Sequence, residues 1–331
     1  MTSLDELSGP SHRSLLLVHG RDFKPGADAY MDLSLAAMRS GIERDYPGQV
    51  GAFDRVQKHI AWYGDLNAKV LFESGKKYDA GLDLGDRRNA LNELREIKPR
   101  KRFGIRQYDQ LPGKSAIGEF VADVSAPVLG AVGLSVPVIS SVAKDFGRYL
   151  NPKSDFADKV RERLRSVLCE LMDRGERIML MTHGTGSVVA YDVLWQLSHD
   201  PEYKDRYADK KVESWLTLGS PLGDRSIQKR LCGAKEKTEN RFPANVISWH
   251  NLAAEDDYCC HDNTLADDFR KMLKQRQVSA VHDYRIFNLA VRYGKSNPHS
   301  SIGYYIHPRL SKILADWLQL SDAAAGFKYT F

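Results

Sequence analysis

The segment 177–194, RIMLMTHGTGSVVAYDVL, constrains the fold of this chain more than any other. It begins as a short apolar run, 177–182, and ends with Val188, Tyr191 and Leu194 at helical spacing. Only His183-Gly184-Thr185-Gly186 separates the two parts. A buried strand that enters a helix across so short a turn must reverse sharply. The chain is strained at the apex, and small residues must flank it so that the helix can pack close to the strand. Such a junction belongs in a parallel sheet covered by helices.

The rest of the chain repeats this alternation. Apolar runs at 14–19, 59–63, 212–218, 245–250 and 284–290 read as further buried strands. Apolar residues recur with helical period over 28–44, 156–172, 187–197 and 310–320. The expected class is α/β, with a mostly parallel sheet of about six or more strands and helices on both faces. A chain of 331 residues suits one large domain with an insertion, or at most two domains. More than 100 residues separate the second and third strands, too many for a plain crossover. Residues 72–113 are polar and charged, and 116–150 are apolar with proline interruptions. The expected layout is a domain over 14–320 with a cap-like insertion at about 72–150 over one end of the sheet. Residues 1–13 and 321–331 read as loosely held tails. Ligands of open parallel sheets bind at the carboxyl ends of the strands. An apolar insertion there favours apolar or lipid-like ligands; the plainer alternative is helices that only cover the sheet.

Composition excludes several classes. With 42% hydrophobic and 27% charged residues, extended disorder is not expected. The net charge of +5 is concentrated in Lys98-Pro99-Arg100-Lys101-Arg102 and Arg106. No helix-turn-helix, zinc or RNA-binding signature accompanies that run, so it reads as a solvated face and no nucleic-acid partner is expected. The cysteines, Cys169, Cys232, Cys259 and Cys260, have neither zinc nor disulfide-framework spacing. The polar start, 1–13, lacks a signal-peptide core. A reducing, cytoplasmic setting is the expectation. Residues 124–142 carry no charge over 19 positions, but Pro127, Pro137, Gly130, Gly133 and four serines make a poor membrane span. A buried or flexible apolar cap is expected there, with weak membrane-surface contact as its alternative.

The turn 183–186, continued through Val188, Val189, Ala190 and Tyr191, resembles the nucleophile elbow of α/β-hydrolases of the lipase-like serine esterase type. One residue departs from that pattern: Gly184 stands where the family has its serine. The resemblance spans roughly 14–320 apart from the insertion and implies the α/β-hydrolase fold. It implies that the backbone N–H of Thr185, and one near Gly20 and Arg21 after the first strand, form an oxyanion hole. His183, Gly186 and Ser187 complete the elbow, with Ser187 as a capping group on the first helical turn. The acid is implied in the loop after the fifth strand. Asp257, six residues past Asn251, fits best, Asp256 is the runner-up and Asp262 comes third. The base is implied to be His299, within Ser296–Ser301, with His307 as the alternative. His307-Pro308 looks more like the entry to the last helix. Gly219-Ser220-Pro221-Leu222 is implied to shape the sheet end near the site. No cofactor and no metal are implied.

With serine at the apex, such a layout hydrolyses carboxylic esters through an acyl-enzyme. With glycine, only about 10³–10⁴-fold acceleration over the uncatalysed reaction is expected, so the chain should be nearly inactive. It is then either a hydrolase whose nucleophile has been exchanged or a natural pseudo-hydrolase that binds a ligand or partner. The expected ligand is a small-molecule or lipid-like ester; the sequence leaves the oligomeric state open. A third reading takes Gly184-Thr185-Gly186-Ser187 as a phosphate cradle. Against it, Val189 occupies the place of the third glycine, no Gly-Lys-Ser/Thr follows, and the junction is the third strand.

Overall fold

A computed structural model describes residues 12–98, 102–113, 143–260 and 264–319. Six parallel strands form one sheet: β1 (Arg13–Val18), β2 (Gln57–Ala61), β3 (Arg177–His183), β4 (Val212–Leu218), β5 (Val246–Ala254) and β6 (Ala280–Ile286). Their order is β2-β1-β3-β4-β5-β6, and every neighbouring pair is parallel. A short antiparallel pair, β7 (Val291–Arg292) and β8 (Lys295–Ser296), stands apart.

Both faces of the sheet are covered, which is why β1 and β3 read as nearly continuous apolar runs. Side chains alternate between two cores. Leu16, Val18, Ile178 and Leu180 enter one core. Leu15, Leu17, Met179 and Met181 enter the other. α1 (Ala27–Asp45) lies on the second face, α2 (Gly64–Glu73) flanks the first, and α3 (Ala80–Arg95) packs on α1. α4 (Lys144–Tyr149), α5 (Phe156–Asp173) and α6 (Gly186–His199) cover the first face. α7 (Ser301–Tyr305) and α8 (Pro308–Gln319) complete the second.

The sheet differs from the sequence expectation at its far edge. β6 begins four residues before the expected 284 and ends at Ile286. It is an edge strand with partly exposed side chains, so the apolar signal is weak where pairing with Ser248–Leu252 begins. Leu289 and Ala290, expected in the strand, are buried in the connection that follows. There Asn288 donates to the carbonyls of Pro298 and Ser300. β5 runs on to Ala254, so Asn251 is a strand residue and not the start of the following loop. Its carboxamide looks loop-like in sequence but is satisfied inside the sheet by Thr217 and Asp283.

Part of the insertion is described. α3 and the described segment after it, through Phe103 and Tyr108, rest on the second face, and α4 bridges α2 and α5. The apolar stretch 124–142, the tails over 1–11 and 320–331, and Asp262 lie outside the described residues. Among the described residues, no helix is long and apolar enough to cross a membrane.

The β3–α6 junction has the tightness that its glycines predict. A Cβ on Gly186 would lie 2.4 Å from the backbone oxygen of His19 and 3.0 Å from that of Val18. Backbone on both sides leaves no inexpensive relaxation, and overpacking of this kind costs about 1–3 kcal/mol. Gly186→Ala is therefore expected to lower the melting temperature, even though alanine is the better helix former. An unchanged or raised melting temperature would show that α6 is free to move away from β1.

Candidate active site

The carboxyl ends of β1, β3, β4 and β5 converge on Gly184. This residue has φ +54°, in the left-handed region where L side chains are strained. Its N–H donates to the Leu218 carbonyl at 2.8 Å, which extends the β3–β4 ladder to the apex. A Cβ built on Gly184 points at the imidazole of His299, 3.0 Å from Nε2 and 3.2 Å from Cε1. That is slightly closer than ordinary contact, so the ring stands in part of the volume a side chain would need.

The other ring nitrogen of His299 faces Asp257. Nδ1 lies 2.9 Å from Oδ2 and 3.0 Å from Oδ1. The Asp257 side chain is fully buried and holds three further contacts. The Tyr304 hydroxyl donates to Oδ2 at 2.7 Å, the Cys259 N–H donates to Oδ1 at 2.9 Å, and the wall behind is Gly219. Gly219 has φ +57°, and a Cβ there would lie 2.6 Å from Asp257 Oδ2. The Gly219-Ser220-Pro221-Leu222 turn thus makes room for the carboxylate under the imidazole. Tyr304 also accepts from the Ala254 N–H, which ties α7 to the end of β5.

Burial disfavours the imidazolium of His299, but the charge of Asp257, with Cys259 beside it, prevails and raises the pKa from 6.5 to about 10. A histidine whose pKa rises on folding stabilises the fold fully below its unfolded pKa, and the contribution is lost as pH climbs toward the folded value. The window here runs from about 6.5 to about 10. An NMR titration should find the His299 midpoint well above 6.5, and Asp257→Asn should bring it down toward or below that value, because burial then acts with less opposition. A midpoint near 6.5 that ignores Asp257→Asn would contradict the pairing.

His183 is buried on the far side of the same ring, with centroids 4.5 Å apart. Burial, then the neighbouring His299 and Lys24, push its pKa well down, so it is neutral. Its Nε2–H donates to the His299 carbonyl at 2.9 Å and fixes the backbone that carries the ring. His19 is likewise neutral, lowered to about 3 mainly by burial, with Lys24 adding to it. Its Nδ1–H donates to the Gly20 carbonyl, and its Nε2 accepts from the Tyr63 N–H. His19 therefore pins the β1–α1 loop to the turn between β2 and α2.

That loop differs from expectation in one detail. The Arg21 N–H, expected to face a substrate oxygen, donates instead to the Thr185 hydroxyl at 2.8 Å. An N–H left unpaired would carry a desolvation penalty, and the hydroxyl removes it. The Thr185 N–H has no acceptor among the described residues. Gly20 packs directly over it, since a Cβ on Gly20 would lie 3.6 Å from that nitrogen. Ser187 is not a cap: the helix begins at Gly186, and the buried Ser187 hydroxyl pairs with Thr182 at 3.0 Å.

The two alternatives lie elsewhere. Asp256 turns away at φ +60° and accepts from the Tyr108 hydroxyl at 2.9 Å. His307 is buried at the start of α8, edge-on to Phe103, and accepts from the Arg309 N–H. Sequence reasoning missed Tyr304, Cys259 and the structural use of His19. An aromatic at helical spacing reads as core, and a cysteine without a partner in sequence gives no signal. Asp257, Cys259 and His299 each offer a metal-ligand atom within 4.8 Å of one another. A metal bound there would have to break the Asp257–His299 hydrogen bond.

Beside His299 opens a cleft of about 410 Å³, bounded by the β1–α1 loop, by residues 76–87 of the insertion and by β7. On the other flank of Thr185 the space is only about 10 Å³, enough for one water. Comparison with protein-family models, with curated proteins and with solved structures finds no match to this chain. Fold and site together define an α/β protein with a six-stranded parallel sheet that gathers Gly184, Asp257 and His299 at its carboxyl edge.

Proposed function

We propose that this chain carries the site of a serine-hydrolase-type carboxylic esterase in which Gly184 takes the nucleophile's place. One observation carries the reading: the Cβ direction of Gly184 meets His299 Nε2 at 3.0 Å, while Nδ1 of the same ring is held by a buried carboxylate. A nucleophile on that vector, a base beyond it and an acid behind the base form the constellation that acyl transfer requires. In this reading the Thr185 N–H is the first oxyanion donor. The Arg21 N–H becomes the second once a ligand oxygen replaces the Thr185 hydroxyl as its acceptor.

Without a side chain at the apex no acyl-enzyme forms. The chain then binds an ester and polarises its carbonyl, with hydrolysis close to background. The pseudo-hydrolase role, a binding protein with a retained acid–histidine pair, describes this same state of the molecule. Hydrolysis assays of Gly184→Ser on short- and long-chain 4-nitrophenyl esters test the proposal. Turnover that needs both the new hydroxyl and His299 supports it; the absence of any gain over the parent chain would sink it.

A further inference from the structure

The cleft beside His299 is lined by six cationic side chains, Arg21, Lys24, Lys76, Lys77, Arg87 and Arg292, but by only two carboxylates, Asp22 and Asp83. Several of these charges are spent on the protein itself. Arg87 and Arg292 share Asp83, and Arg292 also reaches Asp86. The Lys24 ammonium donates to the carbonyls of Arg21 and Phe23. Lys76 and Lys77 are different. Neither makes an ion pair with any described residue, although against the effect of burial Arg21 and Lys24, and after them Lys76, hold the Asp22 carboxyl down.

Their position is set by the backbone. α2 ends in a left-handed Gly75, whose N–H donates to the Phe72 carbonyl, while the Lys76 N–H donates to that of Leu71. This double closure fixes where the chain leaves the helix. Immediately after, the Tyr78 ring stacks on Phe23 of the β1–α1 loop, at 4.7 Å between centroids and 3° between planes. Lys76 and Lys77 are thus held between two anchored points on the cleft wall. Among the described residues the space next to Thr185 on its other flank holds only about 10 Å³, so the cationic cleft beside His299 and His183 offers the larger volume for the rest of a ligand.

We infer that the cleft selects esters that carry a negative charge, a carboxylate or phosphate group placed beyond the ester bond, and that Lys76 and Lys77 are its specificity residues. The inference rests on the ester-site reading of Gly184 for the nature of the bond, but the charge preference can be measured without hydrolysis. A half-enclosed site strengthens such attraction relative to open water, and salt weakens it.

The test is equilibrium binding by calorimetry to the full chain, with Gly184 in place. The probes are monophenyl succinate, phenyl phosphonoacetate and the neutral phenyl methyl succinate. Both anionic esters are expected to bind at least about tenfold more tightly than the neutral one at about 50 mM salt, with the preference shrinking at about 500 mM. The relative affinity of the two anions tells carboxylate from phosphate recognition. Lys76→Glu with Lys77→Glu should remove most of the preference, and Lys76→Arg with Lys77→Arg should keep it. Equal binding of charged and neutral esters, no binding of any probe, or a preference that survives charge reversal would overturn the inference. Failure of Gly184→Ser to hydrolyse any ester, alongside an intact charge preference, would sink only the hydrolase reading.

Discussion

Gly184→Ser is expected to raise hydrolysis of activated esters by about 10³-fold or more over the parent chain. Removal of a nucleophile from a complete triad costs more than this, about 10⁶-fold in kcat where it has been isolated. The smaller figure allows for a pocket that must reopen. His299 stands 3.0 Å from the position of the new Cβ, so the ring must withdraw by a few tenths of an ångström before a hydroxyl can sit at hydrogen-bond distance. The substitution also carries a structural cost. At φ +54° serine is strained where glycine is not, by about 1–2 kcal/mol. The gain in activity should therefore come with a lower melting temperature. The raised pKa of His299 adds a pH signature. A base must be neutral to accept the hydroxyl proton, so kcat/KM should climb with pH above neutrality toward about 10. No hydrolysis above background across that range would contradict the proposed roles.

The second large effect concerns the acid. In the Gly184→Ser background, Asp257→Asn is expected to remove most of that gain, a loss on the order of 10³-fold in kcat; in a complete triad the same exchange costs about 10⁴-fold. The carboxylate accepts from Nδ1–H and so leaves Nε2 free to act toward the apex. A carboxamide at 257 can donate to Nδ1 and favour the opposite tautomer, with the wrong nitrogen protonated. The Tyr304 and Cys259 donors hold that side chain in place, so the effect is chemical more than positional. Asp256→Asn should leave kcat nearly unchanged, because Asp256 is turned toward Tyr108. Comparable losses in both variants would show that the loop as a whole matters, and not Asp257.

How far the molecule was legible in its sequence depends on which interactions are local. The β3–α6 junction is local: an apolar run, two glycines and a helix in 18 residues leave few alternatives, and the parallel sheet follows from repetition of that pattern. The meeting of Gly184, Asp257 and His299 at the sheet edge was implied by the resemblance of the elbow, and of the order that follows it, to α/β-hydrolases. The edge strand β6 could not be placed so well, because partly exposed strands lose the apolar run that marks buried ones. The Arg21–Thr185 hydrogen bond was hidden for a different reason, since it couples loops 164 residues apart. The cationic cleft was hidden most thoroughly. Lys76 and Lys77 sit in a charged stretch that looks like ordinary surface, and only the Gly75 turn and the Tyr78–Phe23 stack bring them to the site.

The central claim is that position 184 is a nucleophile position served by His299. Covalent labelling tests it most directly. Gly184→Ser protein, treated with a fluorophosphonate and digested, should carry the phosphonyl adduct at position 184, and His299→Ala in the same background should abolish it. The parent chain should remain unlabelled there. An unlabelled position 184 in the folded Gly184→Ser protein, or labelling indifferent to His299, would contradict the account.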